Sequence, residues 1–475
     1  MKPEYLIRTL GCKANAYDSE LIEGELRKKG WSPAENGASE NVRLCIVNTC
    51  TVTDEADRQS RKTASKLARE YPKSKIVVTG CAAEVDPERL AQSKGIHYVI
   101  GNRDKNRLVE LVLENIGGEL ESVPSDVGEV LGVAQSYEEI KSQHPLDRIW
   151  PLPELKTGVE GTNHKTRAFL KIQEGCNSFC TYCIIPYGRG PSRSLKIEEV
   201  CEEIRNLIHE NYQEVVLTGI NLGDFGSDWG AGEGLIELVR AILSQTDLKR
   251  LRLSSLDPVE ISPELMLLMS QEPRLCPHFH VSLQSPQSRI LRLMKRKYRY
   301  EDVEKCLKQI SEIPSPVGGV FVGMDLITGF PGETEEEFDR TLSVLESLPW
   351  SRLHVFPYSE RKGTPATRLP ESVLPKDRTL RCRKLRELSL KRLISHYQRA
   401  LDTEATLEVL LEGAVKNPET GKRCFSGYTA NYLRVLLSET EELQGLRNSL
   451  VKVVPESLVI DENAGDVAVQ CRVAS

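Results

Sequence analysis

The 475-residue chain has no apolar run approaching the ~18 unbroken residues that a membrane-crossing helix requires. Its first residues, Met1-Lys2-Pro3-Glu4-Tyr5, lack the apolar stretch and small-residue cleavage site of an export signal. Internal repeats and low-complexity tracts are missing, which excludes solenoids and fibrous arrays. Positive charge is not in excess either: 63 Lys and Arg against 69 Asp and Glu give a net charge of −6. A net-acidic chain does not coat nucleic acid by bulk charge, so any contact with RNA must come from local basic faces. The expectation is a soluble, cytoplasmic protein of several domains with no membrane partner.

What the chain does have is cysteine, 13 of them. An odd number without an export signal argues against a disulfide framework and for metal, cluster or catalytic thiolates. Cys176-x-x-x-Cys180-x-x-Cys183 places three thiolates within eight residues. Structural zinc takes four protein ligands, and the nearest further cysteine, Cys201, stands on the next helix. A cubane [4Fe–4S] cluster on three thiolates keeps one iron open for a ligand, so spacing favours a cluster over zinc or unligated thiols. Cys12, Cys50 and Cys81 form a second set, each just beyond a run that reads as a strand. Strand C-termini of a parallel sheet share one edge, so these three can meet in space. The alternative is small buried thiols in turns, and Cys45, inside its strand, reads as packing.

The hydrophobic pattern divides the chain. Over residues 3–116, strands Tyr5–Leu10, Val42–Asn48, Lys75–Thr79 and His97–Ile100 alternate with helical patterns, which predicts a parallel-sheet α/β domain. Residues 117–160, with Gly117-Gly118, prolines and many acids, read as a linker or insertion. Residues 161–399 hold six candidate strands: Ala168–Gln173, Glu214–Gly219, Arg250–Ser255, His278–Gln284, Gly319–Thr328 and Leu353–Pro357. Six βα units suit a partial α/β barrel, a doubly wound sheet being the competing architecture. The basic amphipathic stretch Pro375–Arg399 trails this core, and 401–473, rich in short Val/Leu runs, reads as a small β-barrel.

The segment Phe169-Leu-Lys-Ile-Gln-Glu-Gly-Cys-Asn-Ser-Phe-Cys-Thr-Tyr-Cys-Ile-Ile-Pro-Tyr-Gly-Arg-Gly190 resembles the cluster loop of radical S-adenosylmethionine (SAM) enzymes, above all the methylthiotransferases. The words Thr-Leu-Gly-Cys-Lys-Ala-Asn, Val-Asn-Thr-Cys-Thr-Val-Thr and Val-Thr-Gly-Cys-Ala-Ala-Glu are similar to the N-terminal domain of that family, and the last β segment resembles a TRAM RNA-binding domain. The resemblance implies a partial (β/α)6 barrel and two [4Fe–4S] clusters. Cys176, Cys180 and Cys183 would hold the SAM-binding cluster, and Cys12, Cys50 and Cys81 the second. Among the branches of the family, the Lys after Cys12, the word Asn-Thr-Cys-Thr-Val-Thr-x-x-Ala-Asp and Leu217-Thr-Gly-Ile-Asn-Leu-Gly223 look like the branch acting on N6-threonylcarbamoyladenosine in tRNA. The isopentenyladenosine branch usually reads Gly-Cys-Gln-Met-Asn at the first word. The chain departs from the pattern at Ala14 and Ala83 and in the length of 116–160.

The implied reaction is radical activation of C2 of the modified adenosine at position 37 in the anticodon stem-loop. A methylthio group is then delivered from the second cluster. An electron donor such as flavodoxin or ferredoxin and a sulfur source are implied partners. The rivals are an isopentenyladenosine tRNA or ribosomal-protein aspartate substrate for the same chemistry, and a non-catalytic iron–sulfur or RNA-binding protein.

Further residues are candidates for SAM contact. Ser282 and Gln284 share one strand face with Cys276, His278 and His280; a Cys/His metal site there is the less favoured reading. Tyr182 lies inside the cluster loop, Asn221 follows the second barrel strand, and Gly329 opens the turn Gly-Phe-Pro-Gly-Glu-Thr334. That turn lacks the Gly-Lys-Ser/Thr of a phosphate loop. For RNA, the candidates are Arg61 and Lys62 with Arg58, Lys66 and Arg69; the run Lys295-Arg296-Lys297; and the 376–399 helix. Residues 401–475 carry 7 Lys/Arg against 12 Asp/Glu, so RNA contact there needs a small patch such as Lys422, Arg423, Tyr428 and Arg434 with Tyr432.

Overall fold

The structure, a computed structural model, describes residues 2–34, 41–116, 128–131, 166–229, 234–314 and 318–474. The N-terminal sheet is built from β1 (Glu4–Thr9), β2 (Ser32–Pro33), β3 (Val42–Thr49), β4 (Lys75–Gly80), β5 (Tyr98–Ile100) and β6 (Glu129–Leu131). Their spatial order is β2-β1-β3-β4-β5-β6 and every pair is parallel. Helices cover both faces, so β3 is apolar on both sides and Leu44, Cys45, Ile46 and Val47 are wholly buried. Cys45 packs in this core, as expected. The Asp54–Glu70 helix starts where Thr53 Oγ1 accepts from the Ala56 N–H at 3.1 Å, with three acids in its first turn.

One expectation needs correction. The 117–160 segment is not wholly a linker, because Glu129–Leu131 pairs with β5 as the sixth strand of this sheet. Apart from 128–131, residues 117–160 lie outside the described residues.

The central domain runs through β7 (Arg167–Lys171), a short pair β8 (Gln173–Glu174) and β9 (Arg193–Ser194), then β10 (Glu214–Thr218), β11 (Arg250–Leu253), β12 (Ser255–Leu256), β13 (His278–Gln284), β14 (Phe321–Thr328) and β15 (Arg352–Pro357). β7, β10 and β11 form one parallel sheet and β12 to β15 another. Only Ser254 separates β11 from β12, so six strands follow one another in chain order around a partial barrel. A doubly wound sheet would reverse that order midway. Outward side chains such as Leu170, Val215, Leu253, Val281, Met324 and Val355 join the helices in one large core. The alternate, inward residues are mostly polar: Arg167, Glu214, Arg252, His280, Asp325 and His354.

The helix Pro375–Asp402 then leads to β16 (Leu407–Lys416), β17 (Arg423–Thr429), β18 (Arg434–Ser438), β19 (Leu450–Asp461) and β20 (Asp466–Val473), closed as β16-β17-β18-β20-β19. Closure removes the free strand edges of a small sheet. This barrel docks on the strand starts of the central domain. Arg167 Nε reaches Glu412 at 2.8 Å, Arg250 Nη1 donates to Tyr428 O at 3.0 Å, and Arg252 Nη1 to Ala430 O at 2.9 Å. Among the described residues no helix is long and apolar enough to cross a membrane.

Arg252 also forms a two-pronged pair with Glu214 (2.7 and 3.2 Å), both side chains essentially unexposed. Breaking such a pair strands a buried charge at a cost of about 3–5 kcal/mol. Arg252→Met is expected to lower the unfolding free energy by that order, and Arg252→Met with Glu214→Leu to restore part of it. Equilibrium unfolding monitored by circular dichroism checks both.

Candidate active site between two cysteine trios

Cys176 enters its loop through Gly175, whose φ is +74° and whose Cβ would lie 1.9 Å from Pro191 O, so a side chain is excluded there. The loop is closed by Cys176 N–H donating to Gly190 O at 3.0 Å, and by Cys183 N–H to Cys180 O at 3.0 Å. Thr181 anchors it, through its N–H to Met294 O (3.1 Å) and its hydroxyl to Leu293 O (2.8 Å). Burial pushes the Cys176 thiol up to about 11, with Ser178 opposing and Cys180 adding to the rise. The Cys183 thiol is pushed well up by burial, then by Cys180 and Cys176. The three thiols therefore lie close enough to act on one another. Arg296 Nη1 donates to Cys180 Sγ at 3.1 Å.

The second trio stands at the C-terminal ends of adjacent strands β1, β3 and β4. Gly11, before Cys12, is so close to Cys50 that a Cβ would lie 2.6 Å from the Cys50 Cβ. Gly80, before Cys81, turns at φ +99° with room for no side chain, 2.4 Å from Thr49 O. Burial pushes the Cys50 thiol up to about 12, with Cys81 and then Cys12 adding to it. Cys12 is exposed while Cys50 and Cys81 are buried, so the trio opens on one side. Among the described residues no group of His, Cys, Asp and Glu is placed to hold a single metal ion. The donor sets, three thiols each, fit iron–sulfur centres, and buried N–H groups reach sulfur in both.

Arg189 connects the two sites. It lies six residues after Cys183, at the end of the short helix Ile185–Arg189. Its Nε donates to Cys81 Sγ at 3.3 Å, Nη1 to Glu174 at 2.7 Å, and Nη2 to Asp18 at 3.1 Å and to Asn15. Lys105 pairs with Asp18 at 2.9 Å, and Lys171 with both Asp18 and Glu174 at 2.5 Å. Three cations thus face two carboxylates in a buried cluster, and the surplus positive charge sits against Cys81. Asn102, which also donates to Gly188 O at 2.6 Å, closes the same contact. On the far side of the mouth, Arg361 Nη2 pairs with Asp57 at 2.6 Å, and Asp54 N–H donates to Ser359 Oγ at 3.0 Å. The N-terminal domain therefore spans from β7 to the loop after β15, where the partial barrel is open.

The other candidates fall into two groups. Ser282 and Gln284 lie at the end of β13, Gln284 beyond a register break and at φ +58°. Asn221 gives its N–H to Gln173 Oε1 at 2.9 Å. Tyr182 packs edge-on to Phe330, ring centroids 6.3 Å apart. Gly329 is explained by its neighbours: its N–H donates to Glu333 at 2.6 Å, and Arg378 fills the space a side chain would need.

Of the basic residues, Lys62, Lys295, Lys297, Lys422 and Arg423 are exposed and Arg61 is half-buried. Arg296 is turned inward instead, held by Cys180, Asp257 and Tyr298 at 3.0 Å. Tyr428 and Tyr432 meet Arg167 at the barrel docking face, and Arg434 pairs with Asp466 at 3.0 Å. The expected stacking patch of Arg434, Tyr428 and Tyr432 is thus occupied within the molecule. Likewise Arg378, Arg381 and Arg386 of the trailing helix bind barrel carbonyls and acids. Sequence reading missed Arg189, Asp18, Lys105 and Lys171 as site residues. Arg189 and Lys171 stand inside the word Phe169–Gly190 already singled out, and Asp18 lies one helical turn beyond Asn15 of the first cysteine word.

Residues 170–345 match the family model described as the Radical SAM superfamily, and residues 4–101 that of Uncharacterized protein family UPF0004. The chain is 34% identical to the threonylcarbamoyladenosine tRNA methylthiotransferase MtaB of Bacillus subtilis, over 94% of its own length and 92% of the relative's. It is 35% identical to the protein of the same name in Aquifex aeolicus, over 85% and 92%. It is also 32% identical to the tRNA-2-methylthio-N(6)-dimethylallyladenosine synthase of Clostridium botulinum, over 88% and 87%. Among solved structures, the radical S-adenosylmethionine methyltransferase TsrM of Kitasatospora setae overlaps with a TM-score of 0.54. The identity there is 17%, over 77% of this chain and 75% of that one, a likeness of fold.

The charge cluster has a pH signature. Burial alone would raise the Glu174 carboxyl, but Arg189 and Lys171 pull it from its ordinary 4.5 down to about 2. A depressed acid stabilises the fold fully above 4.5 and loses that contribution as pH falls toward 2. Urea midpoints are expected to fall across that window, and Glu174→Gln to be less stable at neutral pH with a shallower fall.

Proposed function

Because the chain belongs to the radical SAM methylthiotransferase family, we propose that it adds a methylthio group to C2 of N6-threonylcarbamoyladenosine at position 37 of tRNA, acting in the cytoplasm. The observation that carries this reading is the joining of the two thiol trios through Arg189 at the open side of one barrel. Cys176, Cys180 and Cys183 would hold the SAM-binding [4Fe–4S] cluster, and Cys12, Cys50 and Cys81 the second. When bound, the first cluster would supply the electron that breaks a carbon–sulfur bond of SAM, and the second the sulfur, whose methyl would come from a further SAM. An aromatic C–H at C2 is inert to side-chain acids and bases, which is why a cofactor must do the chemistry.

The chain's own residues bind, orient and enclose. Arg296 and Arg189 each give an N–H to a ligand sulfur, Cys180 and Cys81, and such hydrogen bonds would ease the reduction of a cluster held there. The N-terminal domain is fixed across the mouth at Asp18 on one side and Asp57 on the other. The inward polar faces of β13, β14 and β15 offer groups to orient a nucleoside, Ser282 and Gln284 among them. Exposed Lys62, Lys295, Lys297, Lys422 and Arg423, with Arg61, are the phosphate contacts in this reading. Reduction and sulfur come from partners, a flavodoxin or ferredoxin and a sulfur source.

Two variants separate the sites. Cys180→Ala is expected to abolish reductive SAM cleavage, and Cys50→Ala to keep cleavage while losing methylthio product on a threonylcarbamoylated stem-loop. In tRNA from a deletion strain, nucleoside analysis should show the unmethylthiolated threonylcarbamoyl nucleoside accumulating. An unchanged nucleoside profile would reject the assignment.

A further inference from the structure

Lys13 follows Cys12 directly and is the first residue of the Lys13–Lys28 helix. Its side chain leaves the N-terminal domain and enters the barrel, where Nζ lies 5.8 Å from the ring centroid of Phe169 on the inner face of β7. The charged and polar groups around it are Tyr432, Arg252, Arg167 and Asp325, and its own charge is felt by His278 and His354. All but Tyr432 are inward positions of the barrel strands.

These neighbours are already committed. Arg252 is held by Glu214 and by carbonyls of the C-terminal barrel, and Arg167 by Glu412. Asp325 stands 2.9 Å from His280, whose ring stacks on His354 at 5.1 Å. Lys13 has no carboxylate within ion-pair distance among the described residues. It is a half-buried ammonium without an anion, in a chamber whose other cations are spoken for. Burial of an unpaired charge is costly unless a ligand completes it.

Resting on the proposed substrate, we infer that Lys13 is the specificity residue that pairs with the carboxylate of the threonylcarbamoyl group. That substituent ends in a free carboxylate on a short flexible arm, the one anion the modified base itself would bring into the chamber. Ion pairing there fixes the arm beside Phe169 and His354 and sets the distance of C2 from Cys12, one residue away in the chain. The chain thus reads the substituent with the residue adjoining a proposed cluster ligand, which couples recognition to chemistry.

The test uses the reconstituted full-length enzyme with two anticodon stem-loops, one carrying N6-threonylcarbamoyladenosine and one its carboxyl methyl ester. The readout is the ratio of kcat/KM for acid over ester. A charge-assisted bond predicts a wild-type ratio of about tenfold to a hundredfold. Lys13→Met should bring the ratio near one, and Lys13→Arg should retain part of it. If Lys13→Met forms too little product, competition binding of the two stem-loops gives the same ratio. A variant that keeps the wild-type preference, or that loses acid and ester equally, would overturn the inference: equal loss assigns Lys13 to a phosphate or to SAM. A wild-type enzyme inert on both stem-loops would overturn the substrate reading itself and this inference with it.

Discussion

Arg189 is held between two domains and two cysteine sites. Its guanidinium spends its donors on Cys81, Glu174, Asp18 and Asn15, so one planar group fixes the N-terminal sheet edge against the start of the cluster loop. Removing a partner from such a buried network costs about 3–5 kcal/mol, because the remaining charges have nowhere to go. The network is also electrically lopsided. Three cations against two carboxylates suit a neighbour that carries negative charge, which three thiolates around an iron–sulfur centre would supply. Stability of the domain junction and electrostatics of the second cysteine site are therefore one arrangement.

The two ends of the central barrel are used differently. At the strand starts, Arg167, Arg250 and Arg252 are satisfied by backbone carbonyls and by Glu214, Glu408 and Glu412, and the C-terminal barrel seals that end. At the strand ends lie the cysteine loop, the N-terminal domain and the inward polar face. A barrel whose outside is its hydrophobic core can keep a polar interior only if that interior is solvated or holds a ligand. The closed end also accounts for the tyrosines: Tyr428 and Tyr432 are enclosed by arginines of the central domain.

Much of this was readable from residues. Cysteine spacing and the strand-to-turn position of Cys12, Cys50 and Cys81 pointed to both trios, because each local geometry is set by a strand end and a glycine. The six barrel strands were placed to within a residue or two. β14 starts later than its pattern suggested because Gly318 and Gly319 take left-handed conformations ahead of it. What failed was whatever depends on which face another domain covers. Lys295-Arg296-Lys297 looks like one surface patch, yet the turn after the Ser288–Leu293 helix, with Lys295 at φ +59°, sends its middle residue inward to Cys180. Tyr428 reads as free because the docking of the small barrel leaves no periodic trace, and Arg434 because its partner Asp466 stands on a sequence-distant strand of the same barrel. β6 was missed because three residues in a glycine-flanked acidic stretch carry too little pattern.

The measurement that bears most directly on two iron–sulfur sites in one chain is iron and labile sulfide after anaerobic reconstitution, with electron paramagnetic resonance of the reduced protein. Two [4Fe–4S] centres predict about eight irons per chain, falling to about four when Cys12, Cys50 and Cys81 are all replaced by alanine. About four irons in the unaltered protein, unchanged by that triple replacement, would contradict a second cluster and leave the N-terminal trio without a role in the chemistry.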